Sequence, residues 1–408
     1  MSKSCPLVTD SNITIAKLVP GGQGIGESPD GKKGFFWNVL PHEIVTEYQV
    51  TKSKSTYFEA IATRISNPSP HRIAPKDNCF LSTSPWQIMD YKYELIQKAE
   101  ILKEIIKQAN LDYNKVLGNQ NINPVKTDGY DFYYRNKMEY ALYWDNSTEK
   151  ISLAFHNRGS HQKIPITSSS IERPEIYKSA VEIVSRLNER REEARKYQSL
   201  LLRCNQNGTV SGGLLENKKP HPDFANLTDT VLGRSYSYSP NGFFQINLPV
   251  YEMALNTIKK NILTHEVLDL YAGVGTIGLS VAEDKKLTLV ESNKAAYTEL
   301  TKNASTIASR QEIKSILANS EDCLSYISDS QTVIVDPPRA GCAKKLLEKL
   351  LEVKPHSIIY LSCNPVTQFR DLKILTKLYH IVNITPYNFF PRTPHLENLV
   401  ILNISPDE

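Results

Sequence analysis

The chain has no run of about eighteen apolar residues, the length a helix needs to cross a bilayer, and Met1-Ser2-Lys3-Ser4-Cys5-Pro6 opens no apolar signal segment. These absences point to a cytoplasmic protein with no membrane partner. Cysteine is sparse: six in 408 residues, none in a C-x-x-C pair, which argues against a disulfide framework and for a reducing compartment. An excess of one charge is missing as well. With 48 Lys and Arg against 44 Asp and Glu the net charge is only +4, so any binding of nucleic acid must come from local surfaces. Internal repeats and low-complexity segments are also absent. What remains, 40% hydrophobic over 408 residues, is enough for two or three ordinary domains.

Three strand ends carry the chemistry. The apolar run Ile358-Ile359-Tyr360-Leu361 reads as a buried strand and releases Ser362-Cys363-Asn364-Pro365, where proline cannot continue a ladder. A thiol at that edge of an open α/β sheet lies where ligands bind. A lone cysteine is more often a small buried hydrophobe, so its context matters. Upstream, Val267-Leu268-Asp269-Leu270 runs into Tyr271-Ala272-Gly273-Val274-Gly275-Thr276-Ile277-Gly278, a strand, a glycine turn and a helix start. The next strand, Leu287-Thr288-Leu289-Val290, ends in Glu291, about twenty residues on, the position from which an acid takes both hydroxyls of a ribose. Gly273-x-Gly275-x-x-Gly278 matches the dinucleotide fingerprint literally, so a nicotinamide oxidoreductase stays open at this point. The third end is Thr332-Val333-Ile334-Val335 followed by Asp336-Pro337-Pro338-Arg339, a rigid lip whose prolines fix φ and carry no N–H. A dehydrogenase has no use for the thiol that follows.

With Gly242-Phe243-Phe244-Gln245-Ile246-Asn247 before these motifs and His395-Leu396-Glu397-Asn398 after them, the segment from Gly242 to the C-terminus resembles the RNA uracil-5-methyltransferases. That resemblance implies an S-adenosylmethionine-dependent enzyme with a Rossmann-like class I catalytic domain. DNA adenine methylases usually follow the Asp-Pro-Pro lip with an aromatic, whereas Arg339 stands here; RNA cytosine-5 enzymes place a cysteine directly after it. The chemistry accounts for the residue types. Carbon 5 of uracil is a poor nucleophile, so a thiolate, Cys363, first adds at carbon 6. A base must later remove the carbon-5 proton, and Glu397, in an apolar and proline-bounded approach, fits. The resemblance assigns cofactor binding to Gln245 (methionine part), Tyr271 (beside the turn), Glu291 (ribose) and Asp336 (near the reacting centre). Asp322 and His395 remain outside the assignment.

The fold expected is α/β: a class I methyltransferase domain over 231–408, preceded by an N-terminal β-barrel over 1–66 and a central α+β domain over 67–230. The barrel reading rests on short β-rich runs (Ile13-Thr14-Ile15-Ala16, Gly21 to Gly26, Gly34 to Val39, Tyr57 to Ala62) and resembles the TRAM domain, an oligonucleotide-binding barrel. Phe35, Phe36 and Trp37 offer stacking faces and Lys32, Lys33, Lys52 and Lys54 phosphate contacts, although every second aromatic belongs in the barrel core. In the central segment, Tyr134 to Tyr140 and the turn His156-Asn157-Arg158-Gly159-Ser160-His161 are candidates for RNA phosphate contact, and Pro174 to Leu202, including Arg190-Arg191-Glu192-Glu193, reads as one solvated amphipathic helix. Many members of the family hold an iron–sulfur cluster on three clustered cysteines and a fourth. Here only Cys79 is present, with Leu81 to Gln87 and Thr167 to Ser170 in the other places, so the cluster is expected to be absent; Cys5, Cys204, Cys323 and Cys342 are expected to be inert. The whole reads as a monomeric enzyme that methylates a uridine in structured RNA, 23S rRNA before tRNA. A non-catalytic RNA-binding protein would keep the barrel and lose Cys363 or Glu397, and both are here.

Overall fold

The structure is a computed structural model and describes residues 6–111, 122–160, 162–190, 196–219, 222–307 and 311–404. Cys5, His161 and Arg191-Glu192-Glu193 lie outside them. The largest element is a seven-stranded sheet in the order Ile313–Leu317, Lys286–Glu291, Glu266–Leu270, Gln331–Val335, Ser357–Ser362, Glu397–Ile404, Tyr379–Tyr387. The first five are parallel; Glu397–Ile404 runs against both of its neighbours.

Burial on both faces explains the near-continuous apolar runs. Val333, Val335, Ile358 and Tyr360 face one core with the helices Lys344–Val353 and Pro365–Leu375. Ile334, Ile359 and Leu361, one residue out of phase, face the other with the helices Leu248–Lys260 and Thr276–Val281. The helix Tyr91–Gln108 is capped by Asp90, whose carboxylate accepts from the Tyr93 N–H at 2.9 Å, and sends Ile101, Leu102, Ile105 and Ile106 into the first of these cores. It therefore comes from the segment read as a central domain yet packs as a layer on this sheet. The hairpin Leu227–Val231/Arg234–Tyr238, which a boundary at 230 would cut, packs in the second core.

The N-terminal residues form a second seven-stranded sheet. Its two longest strands are Ile44–Ser53, absent from the sequence reading, and Tyr57–Ser66. A five-stranded antiparallel sheet occupies the middle of the chain, ordered Lys163–Pro165, Lys150–His156, Lys137–Asp145, Tyr197–Cys204, Val210–Glu216. The long helix expected over 174–202 is two elements. The helix covers Pro174–Glu189, and Tyr197–Cys204 is a strand between two neighbours with Leu200, Leu201 and Leu202 all buried. Both phases of that run are covered, and this looked helical only because the apolar pattern continued from the helix before it.

Candidate active site

All five parallel strands end at one edge of the catalytic sheet. Because the sixth strand runs the other way, its first residue, Glu397, starts at that same edge. Ser362 pairs with Asn398, so the next step of the register sets Cys363 opposite Glu397. Thirty-three intervening residues are thus bridged by one antiparallel pairing. From the other side Val335 pairs with Tyr360, which brings Asp336 to the same edge. Beneath the site, Gln368 donates to the carbonyls of Tyr360 (2.9 Å) and Asn398 (3.0 Å), while the Asn398 amide donates back to Gln368 at 2.7 Å. This buried clamp ties both strand ends to the helix Pro365–Leu375.

The electrostatics follow from crowding acids into apolar surroundings. Glu397 is 3% exposed, and burial together with the neighbouring Asp336 holds its carboxyl well above the usual range, against the pull of Arg339. Burial likewise raises Asp336 to about 7. The half-buried Cys363 thiol is pushed up to about 11, by desolvation first and then by the negative fields of Glu397 and Asp336. Arg339 opposes that rise with its charge. Its loop is held to the turn that carries Cys363, because Asn364 Nδ2 and Thr367 Oγ1 both donate to the Arg339 carbonyl, at 2.9 and 3.0 Å. At the outer margin, His395 is exposed, with its ring edge-on to Phe390 at 5.9 Å.

The glycine turn lies at the same edge. Tyr271, Gly273 and Gly275 have φ of 69°, 58° and 89°. Glu291 accepts from the Gly273 N–H at 2.8 Å and from the Asn293 N–H at 2.6 Å, so its carboxylate is fixed over the turn with further lone pairs free. Asp269, fully buried and raised to about 8 by burial, accepts from the Gly278 N–H at 2.8 Å and locks the turn to the following helix. Next to the turn is a cleft of about 680 Å³ bordered by Tyr271, Ser292, Asn319, Glu321 and Pro338. The space directly over the turn is open, since a Cβ on Gly273 would meet nothing within 4 Å. A fixed carboxylate, a glycine turn and an open cleft between strand ends suit the ribose and adenine of S-adenosylmethionine.

Gln245 arrives on a separate loop. It is buried, and three side chains of the middle sheet hold its backbone. Asn136 Nδ2 donates to the Gln245 carbonyl (3.1 Å), Lys137 Nζ to those of Asn241 (3.2 Å) and Gly242 (3.0 Å), and the fully buried Arg203 to those of Phe244 (2.5 Å), Gln245 (3.3 Å) and Gly242 (3.3 Å).

The structure brings Cys363, Glu397 and Asp336 together and sets Tyr271 and Glu291 around the turn. Sequence reasoning missed Arg339, Asn319 and the Gln368–Asn398 clamp. The place of Asn319, just after the strand Ile313–Leu317, was the available signal; Asp322 instead accepts from Asn319 at 3.0 Å. Two cations read as phosphate contacts are used internally. Lys137 binds loop carbonyls, and Arg158 stacks on Trp37 at 4.0 Å while donating to the Leu81 carbonyl. Phe36 is fully buried, whereas Phe35 and Trp37 face outward.

The residues in the cluster region do not fit a four-thiolate group. Cys79 is buried and raised to about 12, by desolvation and then by Asp77. Asp77 accepts from Ser170 Oγ (2.8 Å), the Ser170 N–H (3.1 Å) and Gln87 Nε2 (2.8 Å), and Gln87 also donates to Ser84 Oγ at 2.7 Å.

Comparison with known proteins agrees with this geometry. Residues 322–405 match the family described as tRNA (Uracil-5-)-methyltransferase. Proteins described as uncharacterized RNA methyltransferases, from Bacillus anthracis (27% identical) and Synechocystis sp. (26%), align over 96% of this chain and 96% and 95% of their own lengths. The fold is that of a crystal structure titled Pyrococcus abyssi tRNA (uracil-54, C5)-methyltransferase in complex with S-adenosyl-L-homocysteine: TM-score 0.72, 23% identity, 96% of this chain and 100% of that one. Fold and site thus define an S-adenosylmethionine-dependent RNA methyltransferase. Over its last strands the chain is similar to the RNA uracil-5-methyltransferases.

Proposed function

We propose that the protein methylates carbon 5 of one uridine in structured RNA, with 23S rRNA as the substrate, through a covalent adduct on Cys363. The observation that carries this reading is the register that sets a thiol against a buried carboxylate at the cofactor edge. The Cys363 sulfur bonds to carbon 6 of uracil, and the carbon 5–carbon 6 π electrons pass to the carbonyl oxygen at carbon 4 as an enolate. With the thiol raised to about 11, this addition must be coupled to proton removal, and Asp336, raised to about 7, is the acceptor at hand, which leaves Glu397 unprotonated for the later step. Bound S-adenosylmethionine supplies the methyl group that carbon 5 takes up. Glu397 then removes the carbon-5 proton, the double bond re-forms, and the carbon–sulfur bond breaks. Arg339 stabilises the thiolate before addition and after release.

Gln245, Tyr271, Glu291 and Asp336 hold the cofactor in this reading, with Asn319 beside the adenine. The N-terminal residues 1–66 serve as the RNA-binding barrel and 67–230 as a central domain, supported by the outward-facing Phe35 and the exposed Lys33 and Lys54. Mapping 5-methyluridine in RNA incubated with the wild type and with Cys363→Ala is the test. Methylation of large-subunit RNA by the wild type alone is expected; methylation of tRNA alone moves the substrate to the class named for the Pyrococcus enzyme, and turnover by Cys363→Ala refutes the covalent route.

A further inference from the structure

A second cleft, of about 550 Å³, lies between residues 246–249, where the chain after Gln245 enters the helix Leu248–Lys260, and the middle of the chain. The residues that matter on its walls are Tyr130, Phe132, Tyr133, Glu175 and Asn247. Tyr130 and Tyr133 are 71% and 53% exposed, rings left in water at the cleft. Tyr133 is also held in the left-handed region, φ 57°, by its N–H bond to the Ser170 carbonyl at 2.9 Å. Asn247 is 1% exposed, and neither amide atom has a partner among the described residues. An unpaired buried polar group costs about 1–3 kcal/mol, so a side chain that leaves two is unusual. The helix does not use this amide. Asn247 stands at the N-cap of Leu248–Lys260, but Pro249 has no N–H to offer and no side-chain cap bond forms. Glu175 is also half-served: Oε1 accepts from Arg173 Nη2 at 2.9 Å, and Oε2 is buried without a partner.

We propose that this cleft is a second nucleobase site, which takes an adenine of the RNA flanking the reacting uridine. The proposal rests on the RNA-methylating reading above for the identity of its occupant. A free asparagine amide pairs with adenine in two bonds, Oδ1 accepting from the N6 amino group and Nδ2 donating to a ring nitrogen. The second N6 hydrogen goes to Glu175 Oε2. Uracil and guanine would present a carbonyl oxygen to that carboxylate and are repelled. The tyrosines supply stacking, worth about 1–3 kcal/mol per base. A phosphate is disfavoured because the Arg173 guanidinium is committed to Glu175 and to the Asn205 carbonyl at 2.7 Å.

The test uses the full chain with saturating S-adenosylhomocysteine to fill the cofactor cleft, and probes it by saturation-transfer NMR with AMP, CMP, GMP and UMP. AMP is expected to bind in the presence of S-adenosylhomocysteine. Glu175→Gln and Asn247→Leu are each expected to weaken it about tenfold or more, as loss of such pairing costs about 1–3 kcal/mol. Tyr133→Ala should weaken it as well. AMP binding that disappears when S-adenosylhomocysteine is added, that survives in both Glu175→Gln and Asn247→Leu with their thermal melts intact, or that is matched by UMP or GMP overturns the site; stronger binding of CMP overturns the adenine assignment. Uridine methylation is scored separately on the wild type. Methylation without AMP binding refutes the second site alone, whereas AMP binding without methylation refutes the reaction.

Discussion

Replacing Arg203 by Met should loosen the cofactor loop more than it destabilises the fold, and the hydrogen-bond partners give the size of each effect. The guanidinium is fully buried and serves the Gly242, Phe244 and Gln245 carbonyls. Two of these keep another donor after the change, Lys137 on Gly242 and Asn136 on Gln245. The Phe244 carbonyl and the Asn136 Oδ1, which Arg203 reaches at 3.4 Å, lose their donor; the first is the closer bond, a cost of about 1–3 kcal/mol. Asp229, whose charge faces Arg203, retains the Tyr238 hydroxyl (2.5 Å) and the Gln206 N–H (2.6 Å). The total should therefore fall near ~2–3 kcal/mol, below the ~3–5 kcal/mol typical of a broken buried ion pair. Because the lost bonds lie between Gly242 and Gln245 or on Asn136, which itself holds Gln245, cofactor affinity should fall about threefold to thirtyfold, or ~0.7–2 kcal/mol. Urea unfolding and calorimetric titration with S-adenosylhomocysteine read the two quantities separately. A variant that loses stability but binds S-adenosylhomocysteine as tightly as the wild type would refute the link between Arg203 and Gln245.

Glu397→Gln should trap the substrate: addition and methyl transfer precede the step that needs the base, so labelled RNA should stay on the protein in a denaturing gel and disappear from it when Cys363 is also replaced, and normal turnover would move the base to another residue, His395 first. Alkylation of Cys363 by iodoacetamide should rise about tenfold per pH unit from pH 7 to 10, as expected for a thiol near 11 whose reactive form is the thiolate; Asp336→Asn, which removes one of the charges raising it, should speed the reaction near pH 8, and a rate flat above pH 7 would show that the thiol already ionises there. Metal analysis of protein purified without oxygen should find no stoichiometric iron, and about four irons per chain would mean that other residues supply the ligands.

The catalytic sheet was legible because strands covered on both faces must be apolar throughout, as Val333 to Val335 and Ile358 to Leu361 are, and because glycine and proline mark where they stop. The strand Ile44–Ser53 was not legible. Its half-buried residues, Glu47 and Val50 among them, give no clean alternation, and its pairing with Tyr57–Ser66 shifts register three times. Cys363 and Glu397 could be picked from the sequence as reactive types, but their opposition is a fact of strand register. Arg203 and Asn136 were invisible for a related reason: the carbonyls they serve lie 41 and 109 residues away, and a polar side chain does not announce a distant partner. Periodicity records which face of an element is buried and carries nothing about which polar groups meet there.

The joint of Asp77, Gln87, Ser84 and Ser170 bears on the conditions under which the enzyme can be made and kept. Ser170 lies 93 residues from Asp77, so this short network closes a long loop between the segment before the helix Tyr91–Gln108 and the edge of the middle sheet. A carboxylate, an amide and two hydroxyls do this with atoms that neither gain nor lose electrons. Such a joint forms as the chain folds, without delivery of iron or sulfide, and peroxide or dissolved oxygen has nothing there to attack except Cys79, which is buried and held protonated. Cells starved of iron, or growing in air, would then assemble this enzyme at an undiminished rate.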